Sequence, residues 1–120
     1  VKTVIKCFAE INELPDKQGF SQPLDQEEAK KVFSGIVKNV IAELNKKAEN
    51  KDYSVHDLAC TLLVFIATPE WVAAMQIGDG FMVLRCKDQE YQLLFEPDKG
   101  EFFNETTFVT SANALEEMQV

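Results

Sequence analysis

The chain has 120 residues, 46% of them hydrophobic and 27% charged, a balance typical of one globular domain. Its formal net charge is −8 at pH 7. Because an acidic surface repels phosphate backbones and anionic lipid, this charge disfavours nucleic acid and membrane surfaces as partners. The longest apolar run, residues 62–67, is far shorter than the roughly 20 residues that a membrane-spanning helix needs.

Three cysteines, Cys7, Cys60 and Cys86, are scattered along the chain in apolar sequence. They form no CxxC pair, so we expect them to be buried, reduced structural thiols. No signal-peptide pattern is visible, and we expect a cytoplasmic protein. The sequence starts at Val1, inside an amphipathic pattern, so we expect it to be a piece of a longer protein.

Two amphipathic helices are predicted before any strand. Apolar residues recur at helical spacing over residues 1–13 and stop before Pro15. Residues 25–49 carry one continuous apolar stripe, and Asp25 and Glu28 have the spacing of a capping box at its start. The width of the stripe predicts a helix that packs on a sheet of its own domain.

After residue 59 the hydrophobic period changes to two, which predicts strands. The first strand is apolar on both sides, so we expect a central position with a helix on one face and another layer on the other. Gly78-Asp79-Gly80 predicts a tight hairpin between the second and third strands. Helices followed by consecutive antiparallel strands predict an α+β domain with a β-meander. The predicted strands are residues 60–67, 71–77, 81–86, 91–95 and 105–110.

The sequence contains no self-contained catalytic constellation. His56 is the only histidine, and we expect it on the surface between the long helix and the first strand. The Gly78-x-Gly80 pattern joins two strands and does not open a helix, so it is not a phosphate-binding loop. The carboxylate pairs Glu27-Glu28 and Glu116-Glu117 are interpreted as solvated surface. No catalytic residue is therefore assigned.

Asp79 is the single candidate metal ligand. It follows an apolar strand and begins a turn, so we expect its carboxylate at one end of the sheet. A carboxylate held there suits a hard cation such as Mg²⁺ or Mn²⁺. Taken alone, the pattern favours a turn residue without a metal. Only the sequence around Asp79 makes the interpretation as a metal ligand more favourable.

Three stretches of the chain resemble metal-dependent protein phosphatases of the type-2C (PPM) family. Residues 59–64 (ACTLLV) and 73–85 (AAMQIGDGFMVLR) are similar to the family's central strands, the second of which typically ends in Val-Gly-Asp-Ser. Residues 99–111 (KGEFFNETTFVTS) resemble the Gly-Glu-x-x-Asn-x-Thr-Thr-aromatic stretch of a bacterial subgroup. Gly80 stands where the family usually has Ser.

The resemblance implies a sandwich of two antiparallel sheets flanked by helices, of which this chain would form part. It also implies hydrolysis of phosphoserine or phosphothreonine in a phosphoprotein by a water that Mg²⁺ or Mn²⁺ activates. Asp79 matches the Asp of the Gly-Asp-Ser motif, which contributes to an additional metal position in many bacterial members. Asn104, Thr106 and Thr107 match the subgroup pattern, and we expect structural hydrogen bonding from them.

The family's principal metal carboxylates come from other acidic motifs, and this chain carries none of them. We therefore expect no activity from the chain alone and no metal bound to it. Uncovered sheet edges and an uncovered apolar face would favour a homo-oligomer. Two alternatives stay open: a non-catalytic binding or regulatory module of profilin- or longin-like type, and a pseudophosphatase that has lost its carboxylates.

Overall fold

The structure is a computed structural model that describes residues 1–13, 22–96 and 105–120. Two helices are followed by antiparallel strands, which confirms the α+β fold class. The helices are α1 (Lys2–Asn12) and α2 (Gln26–Lys51), with a short 3-10 helix at Val55–Leu58. The strands are β1 (Leu62–Ala67), β2 (Val72–Ile77), β3 (Val83–Leu84) and β4 (Gln92–Leu93).

Helix α2 begins with the capping box that its sequence predicts. The Asp25 carboxylate accepts a 2.8 Å hydrogen bond from the Glu28 amide, and the Glu28 carboxylate accepts one of 3.1 Å from the Asp25 amide. Two amides at the helix start, which have no carbonyl partner within the helix, are thereby satisfied. The helix ends at Asp52, which adopts a left-handed conformation with φ 57°.

The core lies between α2 and the inner face of the β1–β2 pair. From α2, Phe33, Ile36 and Val37 are fully buried, and Met75 and Ile77 of β2 are fully buried opposite them. Helix α1 closes one side of this core through buried side chains and one edge-to-face ring contact. These contributions come from Val4, Cys7 and Phe8, whose ring centroid lies 6.5 Å from that of Phe33.

Strands β1 and β2 pair antiparallel with Leu62 opposite Ile77 and Ala67 opposite Val72. Their outer face is apolar and partly open, since Phe65 is 64% exposed and Leu63 is 38% exposed. The prediction that layers cover both faces of the first strand was therefore wrong within the described part of the chain. The face of β1 that carries Val64 packs into the core, and no described element buries Phe65 on the other face.

The hairpin predicted at Gly78-Asp79-Gly80 is not formed, because β3 pairs with β4 and not with β2. The edge of β2 is instead bonded at Gln76 to Gln119, through two backbone hydrogen bonds of 3.0 Å. The backbone amide and carbonyl of Gln76 are therefore already hydrogen-bonded, so a following strand cannot pair with β2 at this residue. The chain leaves the β1–β2 sheet after Ile77, and the described strands form two separate pairs.

The strand predicted at residues 105–110 is also not present. The segment makes one strand-like contact, a 2.8 Å hydrogen bond from the Val109 amide to the Cys60 carbonyl. It then turns, because the Phe108 amide donates to the Ser111 hydroxyl at 3.0 Å and the Ser111 amide donates back to the Phe108 carbonyl at 2.9 Å. The Phe108 amide, which a longer β-ladder would need as a hydrogen-bond donor to a neighbouring strand, is thereby bonded to the Ser111 hydroxyl.

The cysteine and histidine positions divide between core and surface. Cys7 is buried, as predicted, but Cys60 and Cys86 are exposed, so the prediction of three buried thiols was wrong. Each exposed cysteine lies two residues outside a paired strand, Cys60 before β1 and Cys86 after β3. His56 is exposed in the 3-10 helix between α2 and β1, as expected.

Candidate functional site

Three segments that are distant in sequence converge at Gly78, directly after β2. The backbone of Gly78 has φ +108°, a conformation that side chains disfavour. A Cβ built on Gly78 would lie 2.8 Å from the Thr61 Cβ and 3.2 Å from the Thr107 carbonyl oxygen, and it would clash with the Thr61 methyl. At position 78, therefore, only glycine fits beside Thr61 and the Thr107 carbonyl.

A second contact holds the same segments together. The Val109 amide bonds the Cys60 carbonyl at 2.8 Å, one residue from Thr61 and two from Thr107. Val109 and Ile77 are both fully buried beside this contact. The stretches that carry the phosphatase resemblance, around residues 60, 78 and 107, are therefore neighbours in the folded chain.

Asp79 projects from this junction. Its residue is exposed, whereas Gly78 before it is buried. A carboxylate in such a position is accessible to a cation from solvent. Within residues 1–13, 22–96 and 105–120, however, no three His, Cys, Asp or Glu residues lie together as a group that could hold a metal ion.

Gly80 lies against the outer face of β1. A Cβ at this position would meet Leu63, with 2.8 Å to its Cδ1 and 3.0 Å to its Cδ2. The side chain of Leu63 therefore occupies the space that a serine at position 80 would need. Leu63 is 38% exposed, so its side chain can rotate to make room, and this contact alone does not exclude serine at position 80.

The remaining residues of the resemblance are only partly placed. Thr106 and Thr107 are half-buried, while Asn104 lies outside the described residues, as do the Gly and Glu that precede it in the pattern. Sequence reasoning did not identify Thr61 or the Thr107 carbonyl as neighbours of Gly78. The glycine at position 78 could have indicated these close contacts, but it was interpreted as part of a hairpin.

A cleft of about 680 Å³ lies elsewhere, lined by the start of α2, the turn between β1 and β2 with the first half of β2, and residues in and beside the β3–β4 pair. Its walls include Val72 and Ala74 on one side and Leu84 and Leu94 on the other. Asp79 is not among its lining residues. The cleft is mostly apolar and offers no arrangement of groups for phosphate chemistry, so the junction at Gly78 remains the candidate site.

Comparison with known proteins identifies the family of the chain. The sequence profile of the protein phosphatase 2C family matches residues 1–120. The chain belongs to the protein phosphatase 2C family. The chain is 35% identical over 86 residues to serine/threonine-protein phosphatase 3 of Escherichia coli (strain K12), a match that covers 72% of the chain and 34% of the relative. No solved structure matches it.

The phosphatase 2C chain thus spans about a third of the length of the curated relative that it matches. None of its described helices is both long and apolar enough to cross a membrane. As for the metal on which the family generally depends, the described residues do not fit a complete centre, because they supply one exposed carboxylate, Asp79, and no cluster of ligands.

Proposed function

We propose that this chain is part of a bacterial, cytoplasmic, metal-dependent protein-serine/threonine phosphatase that acts in signalling. The family match over residues 1–120 supports the phosphatase assignment, and the name of the relative from Escherichia coli supports serine and threonine as the phosphorylated residues. The substrate class is accordingly a phosphoprotein. A net charge of −8 agrees with a partner that is neither nucleic acid nor an anionic membrane.

The observation that carries the proposal is the position of Asp79. Asp79 directly follows a glycine that packs against Thr61 and the Thr107 carbonyl, and the residue itself is exposed. We assign Asp79 as one ligand of Mg²⁺ or Mn²⁺, both of which prefer oxygen donors. A bound metal of this kind would lower the pKa of a coordinated water, and the resulting hydroxide would be the nucleophile for a phosphate ester.

One carboxylate does not hold a catalytic metal pair. Because the described residues offer no group of three ligands, we assign no catalytic residue and no reaction step to this chain. We propose that further carboxylates come from the rest of a longer phosphatase domain, in keeping with the length of the relative. Residues 1–120 alone are accordingly expected to be inactive.

The test uses the full-length protein that contains this chain and p-nitrophenyl phosphate as substrate. We expect phosphate release with Mn²⁺ or Mg²⁺, none with a chelator, and recovery when metal is added back in excess. Residues 1–120 assayed in parallel should release none. Activity that persists in a chelator would overturn metal dependence, and a folded full-length protein without any phosphatase activity would favour the pseudophosphatase or the regulatory module.

We also propose self-association of residues 1–120 through the open face of β1–β2. Phe65 is 64% exposed on this face, and Leu63 and Val72 beside it are each 38% exposed. Contiguous apolar surface of this kind tends to bind other apolar surface. Sedimentation should show a dimer or larger species that Phe65→Lys reduces to a monomer, whereas Lys38→Glu on the exposed face of α2 should not change it. A monomer at all concentrations would contradict the proposal.

A further inference from the structure

One face of the β3–β4 pair carries large side chains that lie in solvent. Along β3 and the residues that flank it, exposed and half-buried residues alternate, and the exposed ones are Phe81, Val83 and Arg85. These three share a face, because successive side chains of a strand point to opposite sides. Val83 lies opposite Leu93 of β4, and Arg85 contacts Tyr91, which precedes β4. We call these five residues the ribbon face.

The ribbon face is the open side of the β3–β4 pair. Its four apolar and aromatic members are each at least half exposed, from 50% at Val83 to 70% at Tyr91. The opposite side of the pair lines the cleft through Leu84 and Leu94. Contiguous large apolar side chains on a protein surface mark a site of interaction, so the ribbon face is a candidate docking surface.

Arg85 adds a positive charge to this apolar surface. Its guanidinium carbon lies 5.3 Å from the centroid of the Tyr91 ring, and one of its N–H groups donates to the Tyr91 hydroxyl at 3.4 Å. Within the described part of the chain, no carboxylate forms an ion pair with it, although Asp88 and Glu90 follow closely in sequence. A guanidinium that stacks on a ring directs its other N–H donors outward in one plane, a geometry that matches a carboxylate.

We propose that the ribbon face docks a segment of the phosphoprotein substrate in which a carboxylate lies next to large apolar side chains. The carboxylate pairs with Arg85, and the apolar side chains pack on Val83, Tyr91 and Leu93. Aromatic residues and arginine are the side chains that most often dominate binding energy at protein interfaces. This inference rests on the proposed function, which makes a phosphoprotein the substrate.

The acidic character of the docked segment follows from charge complementarity. Arg85 is the only arginine of a chain whose net charge is −8. An acidic segment is disfavoured by the surface as a whole and favoured at an unpaired guanidinium. Such a segment therefore binds at the ribbon face in preference to the rest of the surface.

The experiment measures KM and kcat of the full-length protein for two synthetic phosphoserine peptides. In each, a flexible linker of about 20 Gly and Ser residues joins the phosphoserine to a docking segment. The segment alternates Asp with Leu in one peptide and Asn with Leu in the other, so the two differ in charge and not in size. Hydrolysis of p-nitrophenyl phosphate, which has no docking segment, reports on the reaction site alone.

We expect the peptide with Asp to have a KM about tenfold lower than the peptide with Asn, at equal kcat, because docking raises the local concentration of the phosphoserine. Arg85→Glu should abolish this preference and leave hydrolysis of p-nitrophenyl phosphate unchanged. Lys87→Glu is the matched control, since it makes the same charge reversal at an exposed residue outside β3 and should keep the preference. Leu93→Ser should raise KM for both peptides, because both carry Leu.

Several results would overturn the docking role. One is equal KM for the two peptides in an unsubstituted protein that hydrolyses p-nitrophenyl phosphate, and another is an equal loss of preference in Arg85→Glu and Lys87→Glu. A lower thermal unfolding temperature in Arg85→Glu and Leu93→Ser would mean that the rest of the longer protein covers the ribbon face. Conversion of an oligomer to a monomer by these variants would mean that a second copy covers it. If the unsubstituted protein does not hydrolyse p-nitrophenyl phosphate at all, the proposed function fails and the docking role with it.

Discussion

Gln76 on β2 and Gln119 are joined by three hydrogen bonds. Two connect their backbones at 3.0 Å each, and the third runs from the Gln76 side-chain amide to the Gln119 side-chain carbonyl at 2.8 Å. Gln76 is the one polar residue among the buried residues of the described chain, at 1% exposure. The pair thus secures the edge of β2 immediately before Ile77 and the Gly78 junction.

The first prediction concerns the loss of stability when the side-chain amide of Gln76 has no hydrogen-bond acceptor. Gln119→Met removes the acceptor of the buried Gln76 amide, which should lower the free energy of unfolding by about 1–3 kcal/mol. The double variant Gln76→Met with Gln119→Met removes donor and acceptor together and should lose less than the single variant. Urea denaturation measures both.

Gln92→Met provides a control for the chemistry of the substitution, because Gln92 is exposed on β4. It should change the free energy of unfolding by less than about 0.5 kcal/mol, as surface substitutions usually do. A Gln119→Met variant as stable as Gln92→Met would show that the side-chain bond between the two glutamines contributes nothing to stability.

The second prediction concerns Gly80 and Leu63. Gly80→Ser restores the residue that the family usually has, but its Cβ would lie 2.8 Å from the Leu63 Cδ1. Because Leu63 is 38% exposed and its side chain can rotate away, we expect a loss of less than about 1 kcal/mol in the free energy of unfolding. In a Leu63→Ala background the added serine should cost less, because the effects of substitutions at two residues in contact are not additive. Strict additivity in this double-mutant cycle would contradict the contact.

The helices were largely predictable from the sequence, because the information that specifies them is local. The apolar period of residues 25–49 and the pair Asp25 and Glu28 lie within a few turns of each other. The structure accordingly shows a helix at Gln26–Lys51 with its capping box. The family was also recognisable, since the motifs that identify it are short and contiguous.

The strand pairing was less predictable, because it depends on partners far along the chain. Nothing near Gln76 in sequence indicates that Gln119, 43 residues later, holds the edge of β2. The Gly78-Asp79-Gly80 sequence fits a hairpin by its local preferences, but the close packing of Thr61 and the Thr107 carbonyl against Gly78 gives this glycine a different role. A glycine required by close approach and a glycine required by a turn look alike in a single sequence.

The third prediction uses Gly35, which lies within α2 on an exposed face. Nothing lies within 4 Å of a Cβ built at this position. Glycine within a helix is about 1 kcal/mol less favourable than alanine, chiefly because it loses more backbone freedom on folding. Gly35→Ala should therefore raise the free energy of unfolding by about 0.5–1 kcal/mol.

Gly78→Ala should lower the free energy of unfolding, because the backbone there is left-handed and the space for a side chain is filled. Equal changes at the two glycines would contradict the packing described for Gly78.

The fourth prediction tests Asp79 as a ligand in the full-length protein. Asp79→Asn keeps the size of the side chain and removes its charge, so it should raise the Mn²⁺ concentration needed for half-maximal hydrolysis of p-nitrophenyl phosphate. Asp88→Asn is the matched control, since Asp88 is also an exposed aspartate in a turn and its φ of 61° is one that Asn readily adopts. A stronger metal requirement only in the Asp79 variant would support the assignment. The same change in both variants would mean that the general negative charge of the surface, and not a bond from Asp79, attracts the metal, because an anionic surface raises the local concentration of cations.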